Sequence, residues 1–493
     1  MASKPFSILH ISDLHRSSAD PISNDELISA LVGDRDRYFR ESPRILPPEA
    51  IVVSGDLIQG VPLGVPDHET KLAEQYAIAE EFLAELVKRF LDGDRSRVVM
   101  VPGNHDIDWN TALKAMDVVA REDVPANVLS MLHAENAGYR WDWKTLTLYR
   151  IRDQAMYGRR LDAFWRFFER FYSGVTGLLK VEPGADANLF RLCDGRIGIA
   201  AYNSCHGNDC FAFHGMIRKD MVARSHLELN DSGEIFDLRM AVWHHSIEGP
   251  PYRTDYMDVE IVRGMIGRGF RLGLYGHQHK AQVAPHQVWM PDQERMAVIS
   301  AGSLCAGASD LPTGTYRQYN VLEIAEDFKS VRVHVRSMSV ANLFSRGVLP
   351  DFGGTSFADL DWKPPLNVVG GVIDIDAARW RVAIEEAELA TKRGKPEYAI
   401  EILRHLDRPP GSYERQLFLS AATEAEQWAL VIEATDSPAT IDELIQRVEA
   451  CNRLGQYPAA TASLDKYAQQ LQLDHALETE LRQRISAQEV IRK

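Results

Sequence analysis

The sequence predicts an α/β domain followed by an all-helical one, and three observations carry that expectation. Short apolar runs at 6–12 (FSILHIS), 49–54 (EAIVVS) and 97–101 (RVVMV) each end at a polar turn, and helical spacing fills the stretches between, as in 69–91. Further runs at 196–202, 238–243, 270–275, 296–301, 319–324 and 331–336 make the later part of this region strand-rich, as a second sheet packed on the first requires. From residue 376 the composition turns to Ala, Glu, Leu and Arg with a helical character.

Each element has its own warrant. Strand, loop, helix, strand is the pattern of an α/β layer. In 331–336, Val331, Val333 and Val335 alternate with Arg332, His334 and Arg336, as in a half-exposed antiparallel strand. Residues 107–190 break the rhythm, being longer than an ordinary connection and mostly helical in character. Within them 161–172 (LDAFWRFFERFY) either packs on the core as a helix or caps the site, with Trp165, Phe168 or Tyr172 as a binding wall. Residues 346–375, with Gly, Pro, Asp and few apolar runs, read as a linker. The expected division is a domain over 1–345 with the 107–190 insertion, the linker, and a helical domain over 376–493.

Two stretches of the helical domain resemble each other, RGKPEYAIEIL from Arg393 and RLGQYPAATASL from Arg453. Gly394 and Gly455 each precede an alanine by five residues (Ala399, Ala460) and a leucine by nine (Leu403, Leu464). This resembles the turn and second helix of a tetratricopeptide repeat, although a separation of 61 residues is no multiple of the usual ~34. Stacked hairpins commonly form a concave protein-binding surface, so a protein partner is expected there.

Bulk properties bound the function. The 493 residues allow two or three domains, and 45% hydrophobic with 25% charged residues is ordinary for a soluble globular protein. A net charge of −15 weighs against broad nucleic-acid binding, which favours a basic surface. Cys193, Cys205, Cys210, Cys305 and Cys451 match no zinc-knuckle or CxxC spacing and are expected to be free thiols in a reducing cytosol. The N-terminal MASKPFSILHISDLH runs straight into a strand without a signal-peptide core, and no apolar run reaches the ~18 residues of a membrane span. A cytoplasmic protein with no membrane contact is expected.

The chemistry lies in five motifs at strand ends: Asp13-Leu14-His15, Gly55-Asp56, Gly103-Asn104-His105-Asp106, His244-His245 and Gly276-His277-Gln278-His279. Each supplies oxygen or nitrogen and none a thiolate. Residues two apart in extended chain share a face, so Asp13 and His15 can reach one cation, and His277 and His279 one or two. Asp56 can bridge two ions with its two oxygens. Two cations suit metal-assisted attack on phosphorus, and the imidazole content favours Mn, Fe or Zn over Ca or Mg. His10 sits inside the first strand and is expected to be structural. His206, Asp209 and His214 form a polar loop that either lines the substrate pocket or is ordinary loop polarity.

The ordered set ILHISDLH, SGDLIQG, VPGNHD, WHHS and YGHQH resembles the calcineurin-like metallophosphoesterase superfamily over roughly 6–340. The resemblance implies a four-layer α/β/β/α sandwich with metals at the strand ends. It implies that Asp13, His15, Asp56 and His279 hold one metal, and Asp56, Asn104, His244 and His277 the second. It further implies hydrolysis of phosphate esters through a bridging hydroxide, with His105 facing the substrate as general acid or positive partner and Asp106 orienting it. Many relatives carry HHP or HxP where this chain has His244-His245-Ser246, so the choice of His244 rests on its place nearest the strand end. The Ser300-Ala301-Gly302-Ser303 turn resembles the family's Gly-Ser turn, with a role in backbone geometry. ILHISDLH and VPGNHD also resemble the nuclease subunit of double-strand-break repair complexes, an alternative that the acidic balance weakens. A non-catalytic scaffold is the other alternative, against which stand the seven retained ligands.

Overall fold

The computed structural model describes residues 4–20, 22–125, 128–132, 137–247, 255–289, 295–307, 311, 315–338, 342–349, 354–362, 383–384, 386–388, 390–391, 394–410, 412–471, 473 and 475–492. They fall into two compact units, 1–367 and 368–493.

The strands of the first unit are β1 (Phe6–Ile11), β2 (Ala50–Val53), β3 (Val98–Met100), β4 (Met116–Val118), β5 (Tyr139–Asp142), β6 (Thr147–Ile151), β7 (Ala187–Leu192), β8 (Ile197–Tyr202), β9 (Leu238–Val242), β10 (Phe270–Tyr275), β11 (Gln282–Trp289), β12 (Arg295–Ser300), β13 (Gln318–Ile324), β14 (Ser330–Met338), β15 (Phe344–Arg346) and β16 (Phe357–Asp361). One sheet runs β15-β14-β13-β1-β2-β3 with β16 also on β14, and a second runs β11-β12-β10-β9-β8-β7. β1, β2 and β3 are parallel, as are β8, β9, β10 and β12.

The two-residue period of a strand explains the layering. Ile199, Met240, Leu272 and Ile299 of the second sheet join one apolar cluster with Ile8, Val52 and Val99 of the first. Their neighbours Ala200, Ala241 and Val298, with Tyr275 three residues after Leu272, point to the other face and join helices Met221–Asp231 and Val259–Ile266 through Val222, Leu229, Val262 and Met265. Helices Asn24–Arg35, His68–Leu91 and Asp162–Tyr172 add Leu27, Leu31, Phe82, Leu86, Phe164 and Phe167 to the shared cluster. The arrangement is the α/β/β/α sandwich that the resemblance implied.

Two expectations change. The 107–190 insertion is not mostly helical, because β4, β6 and β5 form a separate antiparallel sheet whose strands of three to five residues are too short to show periodicity. Its aromatic helix packs on the core: Phe164, Phe167, Phe168, Phe171 and Tyr172 are buried, and Trp165 is packed against the same cluster. It offers no wall through Phe168 or Tyr172. Inside the stretch read as a linker, β16 pairs with β14 from Ser330↔Asp361 to His334↔Phe357. Of that linker, 350–353 and 363–375 lie outside the described residues.

The second unit contains helices Pro396–Leu403, Tyr413–Glu424, Trp428–Ala434, Ile441–Arg453, Tyr457–Tyr467 and His475–Arg492. Gly394 and Gly455 sit at helix-ending turns with φ 66° and 72°, and Glu426 makes a third such turn with φ 54°. All three share one pattern: Lys395 N–H donates to Ala390 O, Gln427 N–H to Ala422 O and Gln456 N–H to Cys451 O, at 2.8–2.9 Å. These bonds close a helix around a left-handed residue. The 61-residue separation is therefore broken at Glu426, 32 residues after Gly394 and 29 before Gly455. Arg393, the start of the first copy, lies outside the described residues. All five cysteines are free thiols, and no helix among the described residues is long and apolar enough to cross a membrane.

Candidate metal centre

The loops after β1, β2, β3, β9 and β10 carry the expected ligands, and backbone bonds lace them together. Asp56 O accepts from the N–H groups of Leu14 (2.8 Å) and His15 (3.0 Å), and Gly55 O from Asp13 N–H (3.1 Å). His244 O accepts from Gly276 N–H (3.0 Å). Ser303 Oγ donates to Asp13 O at 2.8 Å, so the turn after β12 fixes the first loop through its backbone.

The extended spacing invoked for Asp13 and His15 is not what brings them together. Their φ angles are 51° and 45°, and Asp56, His277 and His279 are likewise left-handed at 52°, 75° and 53°. Such backbone costs about 1–3 kcal/mol per non-glycine residue, and here it folds five ligands inward within tight turns. Two glycines answer a different need, close approach. A Cβ on Gly103 would lie 2.1 Å from Asp56 Oδ1, and one on Gly276 would lie 1.8 Å from Ser12 Oγ and 2.6 Å from Asp13 Oδ2.

All seven expected ligands converge. Ligand atoms of Asp13, His15, Asp56 and His279 lie within 4.8 Å of one another, with the first three residues buried. His15 Nε2 faces His279 Nε2 at 3.0 Å, and His279 Nε2 is 3.3 Å from Asp13 Oδ1. On the other side, Asn104 Oδ1 lies 2.9 Å from His277 Nδ1 and 3.0 Å from His244 Nε2. His244 Nε2 is 3.3 Å from His277 Nδ1 and 3.2 Å from Asp56 Oδ2. Asp56 Oδ1 accepts from His105 N–H at 2.8 Å, so Oδ2 is the oxygen that faces both groups, 3.7 Å from His15 Nε2 on the first side.

Buried nitrogen and oxygen lone pairs that face one another without enough protons between them suit a cation, which is the fit this donor set offers. Burial, with the charge of His105 next, pushes the His15 imidazole down to about 3. Burial opposes charge on His244 as well, but Asp56 outweighs it and raises that ring to about 9. Asp56 itself is held well below the usual carboxylate range, because His244 and His105 outweigh the effect of burial.

Sequence reasoning missed the groups that orient these ligands. His244 Nδ1 donates to Ser54 O at 2.8 Å, a carbonyl that can only accept, which leaves Nε2 bare for the centre. Asp255 Oδ2 lies 3.3 Å from His277 Nε2, which leaves Nδ1 for the centre. Asp255 stands in no motif and reaches the site only through the fold.

The role expected of Asp106 changes. Asp106 Oδ2 accepts from Gly103 N–H (2.8 Å) and Leu57 N–H (3.3 Å), and Oδ1 from Tyr76 OH (2.9 Å). It holds the loop backbone, and burial with the charge of Asp56 raises its carboxyl to about 7. The ring of His105 is oriented instead by Gln59 O, which accepts from Nδ1–H at 2.8 Å and leaves Nε2 outward. His245 turns away from the donor ring: its Nδ1 lies 2.9 Å from Ser204 Oγ and its Nε2 3.1 Å from Asn208 Nδ2. His10 is buried on Ser54 Oγ at 2.9 Å. Asp209 is also structural: it is buried, with Oδ2 accepting from Arg140 Nε (2.5 Å) and Tyr157 OH (2.6 Å). His206 lies 3.7 Å from Asp186 through Nδ1. His214 approaches a Cβ placed on Gly207 to 3.5 Å.

A family profile described as calcineurin-like phosphoesterase matches residues 6–281. No curated protein matches the chain. Solved structures resemble it at low identity. They include GAP50, the anchor in the inner membrane complex of Plasmodium, at 11% identity over 73% of this chain and 90% of that one, with a TM-score of 0.32. The calcineurin-like phosphoesterase YfkN from Bacillus subtilis matches at 12% over 80% and 99%, with a TM-score of 0.30. A Vps29 variant from Entamoeba histolytica matches at 9% over 73% and 100%, with a TM-score of 0.25. At these scores the structural likenesses carry no argument about function.

Proposed function

The chain belongs to the calcineurin-like phosphoesterase family, and from that premise we propose that it hydrolyses phosphate esters at a two-metal centre. The observation that carries the reading is the complete donor ring, in which Asp56 Oδ2 faces His15 on one side and His244 on the other. Asp13, His15, Asp56 and His279 would hold one divalent cation, and Asp56, Asn104, His244 and His277 the other. The nitrogen-rich set favours Mn, Fe or Zn. When bound, the pair supplies a nucleophile at neutral pH and neutralises charge at phosphorus.

The chain's own residues do the rest. The Ser54 carbonyl holds the His244 imidazole in the tautomer that presents Nε2, and the Asp255 carboxylate stands beside His277 Nε2. Gln59 O fixes the His105 ring with Nε2 outward, where it donates to a phosphoryl or leaving-group oxygen when protonated. Asp106 keeps the loop bearing Asn104 and His105 in place. The helical unit, with its three like turns, is read as a tetratricopeptide-like surface for a protein partner, separate from the chemistry.

The test is release of p-nitrophenol from bis-p-nitrophenyl phosphate by the full chain. The reading expects turnover with Mn that disappears on chelation and returns on re-addition. No turnover with Mn, Fe or Zn would refute it.

A further inference from the structure

We propose that Trp109 and Phe213 form a stacking platform for the base of a nucleoside phosphoester at the mouth of the metal centre. The inference rests on the phosphoesterase reading and adds the substrate class.

Three connecting loops meet beside the centre. The loop after Asp56 is tied to the loop after His105 by Asn110, whose Oδ1 accepts from Gly64 N–H (2.8 Å) and whose Nδ2 donates to Pro62 O (3.0 Å). Gly60 packs on the His105 carbonyl, so closely that a Cβ there would lie 2.9 Å from it. Trp109 precedes Asn110 and follows His105 by four residues. The third loop, 203–216, is held from the other side. Gly215 is pressed against His245, where a Cβ would lie 2.4 Å from the His245 Cβ. His245 in turn neighbours His277, with ring centroids 4.9 Å apart. Phe213 stands two residues before Gly215, and its ring meets Trp109 edge-on, with centroids 6.2 Å apart at 63°.

The pair thus joins the loop that follows His105 to the loop packed on His245, the ring neighbour of His277. Its two members differ in a way that matters. Trp109 is half-buried and packed against the core, whereas Phe213 is 43% exposed, so a held ring meets, edge-on, one that solvent can reach. Folding gains little from leaving a phenylalanine face wet. The Trp109 indole N–H is shielded from solvent and has no acceptor among the described residues. Loop 203–216 is also stiffened. Arg160 donates to the carbonyls of Cys205, His206 and Asn208, and Asp209 takes the Arg140 guanidinium and the Tyr157 hydroxyl. An aromatic platform held rigidly beside a phosphate site suits a planar ring attached to that phosphate. Base–aromatic stacking is worth about 1–3 kcal/mol per base.

Binding tests the proposal independently of catalysis. The Mn-loaded full chain is titrated calorimetrically with adenosine 5′-monophosphate and with ribose 5-phosphate, which carries the same phosphate without the base. The expected result is at least ~10-fold tighter binding of the nucleotide, a preference lost in Phe213→Ala and Phe213→Leu and kept in Phe213→Tyr. Trp109→Ala should lose it too. Equal binding of the two ligands by the parent protein, or a preference that persists in Phe213→Ala, would overturn the platform. Release of p-nitrophenol from methyl p-nitrophenyl phosphate, which carries no base, is measured beside it. If that ester is not cleaved, the hydrolase reading fails while the binding comparison still decides the platform. If that ester is cleaved while the two ligands bind equally, the hydrolase reading stands and the platform is overturned.

Discussion

The metal-centre loops and the helical hairpins both depend on residues with left-handed backbone, but for opposite reasons. In the loops, Asp13, His15, Asp56, His277 and His279 adopt positive φ although glycine would do so more easily. On the proposed reading the side chain is indispensable there, and the backbone bears the strain. In the hairpins Gly394, Glu426 and Gly455 occupy one shared turn, and Glu426 shows that the residue type is negotiable. There the backbone conformation is indispensable, and the side chain is free to vary. Five such residues converge on the candidate centre, whereas Glu426 stands alone in a helix-ending turn.

That contrast is sharpest at Asp56. Asp56→Gly relieves the φ of 52° and removes the carboxylate between the two ligand groups. Turnover of bis-p-nitrophenyl phosphate should fall to background while the chain remains folded by circular dichroism. Retained turnover would mean the backbone, not the carboxylate, matters there. His105→Ala comes next: kcat should fall by ~10²–10⁴ with metal content unchanged, and less for esters with good leaving groups. A variant that sheds its metals would make His105 a ligand. Asp255→Asn should have a smaller effect, weakening metal affinity by about 10–100-fold, as loss of an orienting carboxylate does. An unchanged titration curve would remove Asp255 from the site. The smallest effects fall in the hairpins. Gly455→Ala should destabilise the helical unit by about 1 kcal/mol and Glu426→Gly should stabilise it by about 0.5–1 kcal/mol, read from urea unfolding, with turnover unaffected by either. Opposite signs would mean the shared turn is not what sets stability there.

What was legible in the sequence follows from the same contrast. Candidate ligands stand out by side-chain chemistry at strand ends, so the convergence of Asp13, Asp56, Asn104 and His277 could be anticipated from the motifs. The apolar runs that became β1, β2, β8 and β10 were equally plain. Groups that act through tertiary contact left no local signal: Asp255 belongs to no motif, and the orienting atoms for His244 and His105 are backbone carbonyls of Ser54 and Gln59. The resemblance implied that Asp106 orients the His105 ring, whereas in the fold its carboxylate points into the loop backbone. The insertion sheet escaped notice because β4 to β6 are short and its buried polar anchor, Arg140 on Asp209, spans 69 residues. The middle hairpin turn was hidden by Glu426, whose identity says nothing of its conformation.

The central claim is that two separate cations share Asp56. Elemental analysis of manganese per chain, at equilibrium with the free metal, tests it most directly across the parent protein, His15→Ala, His244→Ala and Asp56→Asn. The account predicts two equivalents, one, one, and fewer than one. A single equivalent in the parent protein, or two retained in His244→Ala, would contradict it.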